Sequence, residues 1–170
     1  PTYLRFRFLS QDDLFSGRWR DALIQVVAQP APPGTIALNG AEVVADGVML
    51  IDKAPFSTYE FPWHQDNAYQ SWHPSDGVAV TLALDESSED SGGIVSLAGS
   101  HRLEVLPHRP SGVLGASRGL VSEPDTDRYP PVVMGMKPGD VSLHHVNTIH
   151  RTGPNRTGHH RRNLGFAYHS

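Results

Sequence analysis

The stretch WHQD (63–66) places an imidazole and a carboxylate two positions apart. In an extended strand, residues i and i+2 share a face, so His64 and Asp66 can address one point while Gln65 faces away. A neutral imidazole nitrogen and a carboxylate oxygen make a metal-ligating pair. A third ligand is expected from a distant strand, and the best placed is His150, in HHVNTIHRTGPN (144–155). Two histidines and one carboxylate on one side of a metal leave octahedral positions open, which suits non-haem Fe(II) and dioxygen chemistry. Zinc more often takes a closed or tetrahedral set, and the helical H-E-x-x-H of metalloproteases is absent. Plainer readings stand beside this one: Asp66 as a partner for loop backbone, His64 as a half-buried imidazole.

These groups need a rigid frame, and the chain is long enough to supply one. Its 170 residues suffice for one domain with a core, and 38% hydrophobic with 19% charged residues is ordinary for a globular protein. With 16 Gly and 14 Pro, turns are plentiful. The net charge of −4 carries no basic stripe, so no nucleic-acid partner is expected; no apolar run is long enough to span a bilayer. Cysteine is absent, which excludes disulfides, thiolate metal sites and cysteine nucleophiles. That fits a reducing compartment, and without a signal-peptide pattern at the start the expected location is cytoplasmic. The first residue is Pro, not Met, so the N-terminal part is expected to be incomplete. Histidine, with ten residues, is abundant.

SQDDLFSGRWRDALIQVVAQ (10–29) carries apolar residues at helical spacing and is read as a helix. Beyond it the pattern changes to short strands: 43–52, 77–84, 93–97, 140–146 and 163–169, each bounded by turn formers. The segment 108–131 is Pro/Gly-rich with weak periodicity and reads as a long lid-like loop. Many short strands with one flanking helix predict a mainly β fold, a double-stranded β-helix of the jelly-roll or cupin-like kind, as a single domain over 1–170.

Four stretches together are similar to the phytanoyl-CoA dioxygenase family of Fe(II)- and 2-oxoglutarate-dependent oxygenases. They are MLIDKAP (49–55), WHQDNAY (63–69), LALDESSEDSGGIVSLAGSHR (82–102) and KPGDVSLHHVNTIHRTGPNRTGHHRRN (137–163), spanning roughly the last 120 residues. Ser91 and Ala98 depart mildly from the family's pattern, and helix 10–29 lies outside the resemblance. The resemblance implies iron on His64, Asp66 and His150, with 2-oxoglutarate and O2 as cosubstrates. It places the arginine for the far carboxylate of 2-oxoglutarate eleven residues beyond the distal histidine, at Arg161. Arg162 is the rival, since neighbouring strand residues face opposite ways. Arginine suits the role because its planar fork bonds a carboxylate with two parallel N–H groups. Met49 matches a position lining the cosubstrate pocket, and Thr81 could donate a hydroxyl there. His145, five residues before His150, reads as a support for the ligands or a core residue.

Tyr69 and Trp72 could wall the substrate side. The activity implied is hydroxylation of an unactivated C–H bond of a small molecule, natural-product or amino-acid-like, with release of succinate and CO2. The carboxylate of Asp66 argues against halogenation, because the family's halogenases lack that ligand. Alternatives are desaturation or cyclisation on the same iron, a zinc hydrolase, or a non-catalytic cupin-like binding domain.

Overall fold

Alternating apolar residues between glycine- and proline-rich turns cut this chain into short strands. The computed structural model describes residues 6–7, 44–71, 77–113 and 115–169. The helix expected over 10–29, and Trp72, lie outside them. The described strands are β1 (Phe6–Arg7), β2 (Val44–Lys53), β3 (Phe61–His64), β4 (Val78–Ala83), β5 (Ile94–Leu97), β6 (His108–Val113), β7 (Ala116–Leu120), β8 (Pro131–Val133), β9 (Asp140–His145), β10 (His150–Thr152) and β11 (Arg161–His169). A one-turn helix, α1 (Asn67–Gln70), follows β3.

The strands form a five-stranded sheet in the order β1-β9-β4-β11-β2 and a four-stranded sheet in the order β3-β10-β5-β8. Both are antiparallel, and together they make the double-stranded β-helix expected from the sequence. In the larger sheet, Met49, Gly165, Thr81 and Ser142 form one row across β2, β11, β4 and β9. Ala79 and His144 pair two residues further along. Cross-strand partners share a face, so all of these point to the same side. The alternate residues Val80, Leu82, Val141, Phe166 and Tyr168 form a buried apolar cluster. Each such side chain contributes about 1.5–3 kcal/mol of burial energy, which fixes the strands' facing. A slip of one residue would exchange the two sets.

Two sequence-based expectations need correcting. The segment 108–131 is not an unstructured loop: β6 and β7 pair as an antiparallel hairpin within it. Glycine and proline interrupt the alternation there, and the hairpin lies so close to β3 that a Cβ on Gly119 would stand 2.9 Å from Pro62 Cγ. Strand β3 ends at His64, so strand alternation does not place Asp66. That residue has helical backbone angles (φ −60°, ψ −35°) and occupies the N-cap of α1. His150, the third ligand expected from a distant strand, opens β10.

Candidate metal centre

His64 and His150 are direct cross-strand partners on β3 and β10. Their rings lie 4.2 Å apart, centroid to centroid. Each ring is fixed in the same way: Nδ1 of His64 bonds Pro62 O at 2.8 Å, and Nδ1 of His150 bonds Thr148 O at 2.9 Å. A carbonyl only accepts, so both Nδ1 atoms carry the proton and both Nε2 atoms present a lone pair. Those Nε2 atoms lie 3.6 Å (His64) and 3.5 Å (His150) from Asp66 Oδ1. One ligand atom from each of the three residues falls within 4.8 Å of the other two. The turn after β3 thus delivers the carboxylate that alternation alone would not.

Polar residues behind this turn hold it. Gln65 is fully buried: its Nε2 donates to Asn147 O at 2.8 Å and Glu104 O at 3.2 Å, and its Oε1 accepts from Leu106 N at 2.8 Å. The Gln65 backbone N–H donates to His108 Nε2 at 3.1 Å. Asn67 Nδ2 donates to Asn147 Oδ1 at 3.1 Å, so both neighbours of Asp66 are anchored.

Burial lowers the His150 pKa to about 3 and keeps its imidazole neutral, as a ligand requires. Burial pushes the Asp66 carboxyl up, but the imidazoles of His150, His144 and His64 around it outweigh that effect. They hold Asp66 well below the usual carboxylate range.

A cavity of about 450 Å³ opens in front of the three residues. His64, Asp66, His150, Arg161, Met49, Thr81 and Tyr69 all line it. Trp72 lies outside the described residues. Tyr69 sets its ring edge against His64, 5.7 Å between centroids, and its hydroxyl donates to Arg118 O at 3.1 Å on the β6–β7 hairpin. Strand β11 separates the two arginines. Arg161 is 1% exposed, whereas Arg162 turns out and forks onto Asp85 through Nε (2.7 Å) and Nη2 (2.9 Å). Arg161 Nη2 donates to Gly92 O at 2.6 Å, and its Nε is buried without a partner. Burial lowers the Arg161 pKa to about 10, so the guanidinium stays charged at neutral pH.

Some neighbours of the site escape a reading of the sequence. Lys53 sits opposite Arg161 on β2, with Nζ bonded to Tyr59 O and Gly153 O. Burial, then the charge of Arg161, pulls the Lys53 pKa down to about 7. Gly92 has φ +75°, and a Cβ there would stand 2.6 Å from Gly153 O, so only glycine fits beside the Arg161 contact. Asn155 is fully buried and bonds Lys53 O, Ala54 O and His159 O, closing the loop between β10 and β11. The residue beside Asp66 is His144, not His145: His144 Nε2 lies 3.1 Å from Asp66 Oδ2. The signal was present, since Val141 and Leu143 mark the core face of β9 and leave Ser142 and His144 on the other.

This chain belongs to the phytanoyl-CoA dioxygenase (PhyH) family, whose model matches residues 4–163. The match is wider than the four motifs suggest and takes in residues 10–29. A relative from Stutzerimonas stutzeri, "Probable alpha-ketoglutarate-dependent hypophosphite dioxygenase", is 34% identical over 122 residues, 69% of this chain and 42% of the relative. The peroxisomal phytanoyl-CoA dioxygenase of Homo sapiens is 31% identical over 125 residues, 70% of this chain and 37% of that one. The chain spans about two fifths of the length of these curated relatives. Among solved structures, EvdO2 from Micromonospora carbonacea var. aurantiaca superposes with a TM-score of 0.70 at 25% identity, covering 99% of this chain and 67% of that one. EvdO2 has also been solved in complex with 2-oxoglutarate.

Proposed function

We propose that this protein is an Fe(II)- and 2-oxoglutarate-dependent oxygenase that hydroxylates a small molecule. The observation that carries this is the donor set: two imidazole Nε2 lone pairs and one carboxylate within 4.8 Å, with both Nδ1 atoms already committed to carbonyls. Such a set fits a divalent iron and leaves positions open for exchangeable ligands. His64, Asp66 and His150 would hold the metal. When bound, iron with 2-oxoglutarate and dioxygen supplies an oxidant able to attack an unactivated C–H bond, with release of succinate and CO2.

The residues of the chain bind, orient and exclude water. Arg161 is a buried cation with no carboxylate in contact among the described residues, and its charge suits the far carboxylate of 2-oxoglutarate. Lys53, alongside, is spent on two backbone carbonyls and serves to hold the strand loop. We assign Thr81 and Met49, which line the same cavity, to the cosubstrate side. Tyr69 and Phe61 wall the opposite side beside His64, where substrate would lie. A cavity near 450 Å³ that must hold both molecules suits a small substrate, natural-product or amino-acid-like.

The purified protein with Fe(II), ascorbate and a substrate panel should convert 2-oxoglutarate to succinate. Anaerobic addition of Fe(II) and 2-oxoglutarate together should give a weak visible absorption band. His64→Ala, Asp66→Ala and His150→Ala should each lower turnover by at least a thousandfold, roughly 4 kcal/mol. Undiminished turnover in all three would remove the proposal.

A further inference from the structure

We propose that His144 is a positioning residue that restricts Asp66 to one-oxygen coordination of the metal, an inference that rests on the iron site proposed above. The two oxygens of Asp66 have different employments. Oδ1 faces His64 Nε2 at 3.6 Å and His150 Nε2 at 3.5 Å. Oδ2 is turned to His144 Nε2, 3.1 Å away. A carboxylate can bind a cation through one oxygen or both, and the second oxygen occupies one more coordination position. Three protein ligands leave half of an octahedron vacant; a two-oxygen carboxylate leaves only a third. The proton on His144 Nε2 keeps Oδ2 engaged and the extra position free.

Local structure offers Asp66 Oδ2 another partner, which it does not take. An aspartate at a helix N-cap ordinarily accepts a backbone N–H of the first turn. Asp66 occupies the N-cap of α1 and makes no such side-chain bond. His144, from the opposite sheet, takes that place. Its position is fixed by register: it pairs with Ala79 on β4, on the face that lines the cavity. Its side chain is only 7% exposed, and its ring lies 4.6 Å from that of His150, tilted by 59°. Its Nδ1 is buried with no partner. The ring leaves one polar atom unsatisfied while its other nitrogen is bonded to Asp66. His144 does not belong to the set of three whose ligand atoms lie mutually within 4.8 Å, so it acts on the metal through Asp66.

Co(II), a redox-stable stand-in for Fe(II), provides the test. His144→Phe keeps the ring and removes the donor; His144→Gln restores an N–H. In the Phe variant Asp66 is free to bind through both oxygens, so its Co(II) visible spectrum should differ from the parent's and should respond less to 2-oxoglutarate. The Gln variant should return toward the parent in both, with the apoprotein melting temperature alike in all three. A Phe variant with the parent's spectrum and response would overturn the proposal. His150→Ala, run alongside, separates the two ideas: if it too binds Co(II) as the parent does, the iron site itself is wrong. A second measurement needs no variant. In the Zn(II)-loaded parent, histidine-ring nitrogen NMR should place the His144 proton on Nε2; a proton on Nδ1, or Nε2 bound to metal, would also overturn it.

Discussion

Arg161 and Arg162 are adjacent in sequence and opposite in circumstance. Arg162 lies on the surface in a two-point contact with Asp85, a pairing of small energetic weight where water competes. Arg161 is buried, held on one side by Gly92 O and left with an unpartnered Nε. A buried guanidinium is costly without an anion in contact, and among the described residues none touches it, so this position has a use for a carboxylate. Arg161→Ala should raise the KM for 2-oxoglutarate by about two orders of magnitude, since removing one partner of a buried charge pair costs roughly 2–5 kcal/mol. Arg162→Ala should change it less than about threefold; steady-state succinate assays would decide, and the reverse ranking would reassign the anchor. Residue types and spacing pick out His64, Asp66 and His150, and the family resemblance adds Arg161, Met49 and Thr81; with Tyr69, these seven side chains line one cavity. Neither source separates His144 from His145, because adjacent histidines look alike until the strand's facing is known from Val141 and Leu143.

The elements that place these residues differ in how plainly the sequence writes them. The long strands β2, β4, β9 and β11 span several alternations, so their apolar pattern repeats often enough to be read. Strands β3 and β10, four and three residues long, do not complete two alternations, and β3 contains a proline. The β6–β7 hairpin hides behind Pro110, Gly112 and Gly119, whose roles are turning and close approach. That hairpin begins at His108, whose Nε2 accepts the Gln65 backbone N–H and whose Nδ1 bonds Leu106 O at 2.7 Å. Burial pulls the His108 pKa below its ordinary value. Below about pH 6.5 the unfolded chain takes up a proton that the folded ring refuses, so stability falls as pH drops from there toward the folded pKa. Above that range the group contributes no pH dependence. The melting temperature of the protein should therefore be lower at pH 5.5 than at pH 7.5, and His108→Phe should narrow the gap while lowering the value at pH 7.5. An unchanged gap, measured by circular dichroism, would show that the ring is not held neutral.

On the scale of the molecule, the site belongs to neither sheet alone. His64 and His150 stand on the four-stranded sheet, His144 and Arg161 on the five-stranded one. A ligand that touches both sheets should stabilise the fold as a whole. With metal and 2-oxoglutarate bound, saturation at a hundred times the dissociation constant adds about 2.7 kcal/mol. For a chain of this size that is a rise of roughly 5–10 °C in Tm. Mn(II) with 2-oxoglutarate should produce it in the parent and not in His150→Ala; equal shifts in both would place the binding elsewhere. The jelly-roll class was legible because counting strands and turns needs no knowledge of which strands pair. The pairing order was not, since β11 sits between β4 and β2, partners far from it in the chain.

The division of the site between two sheets has a consequence for which keto acid can serve. Sheets packed face to face stand about 10 Å apart, and the body of the barrel fixes that gap. A molecule chelated on one wall and clasped by Arg161 on the other is measured against it, as by a caliper. A shorter diacid would leave the guanidinium unreached, and a longer one would have to buckle. Selection among dicarboxylic keto acids would then follow the barrel's width together with the reach of Arg161.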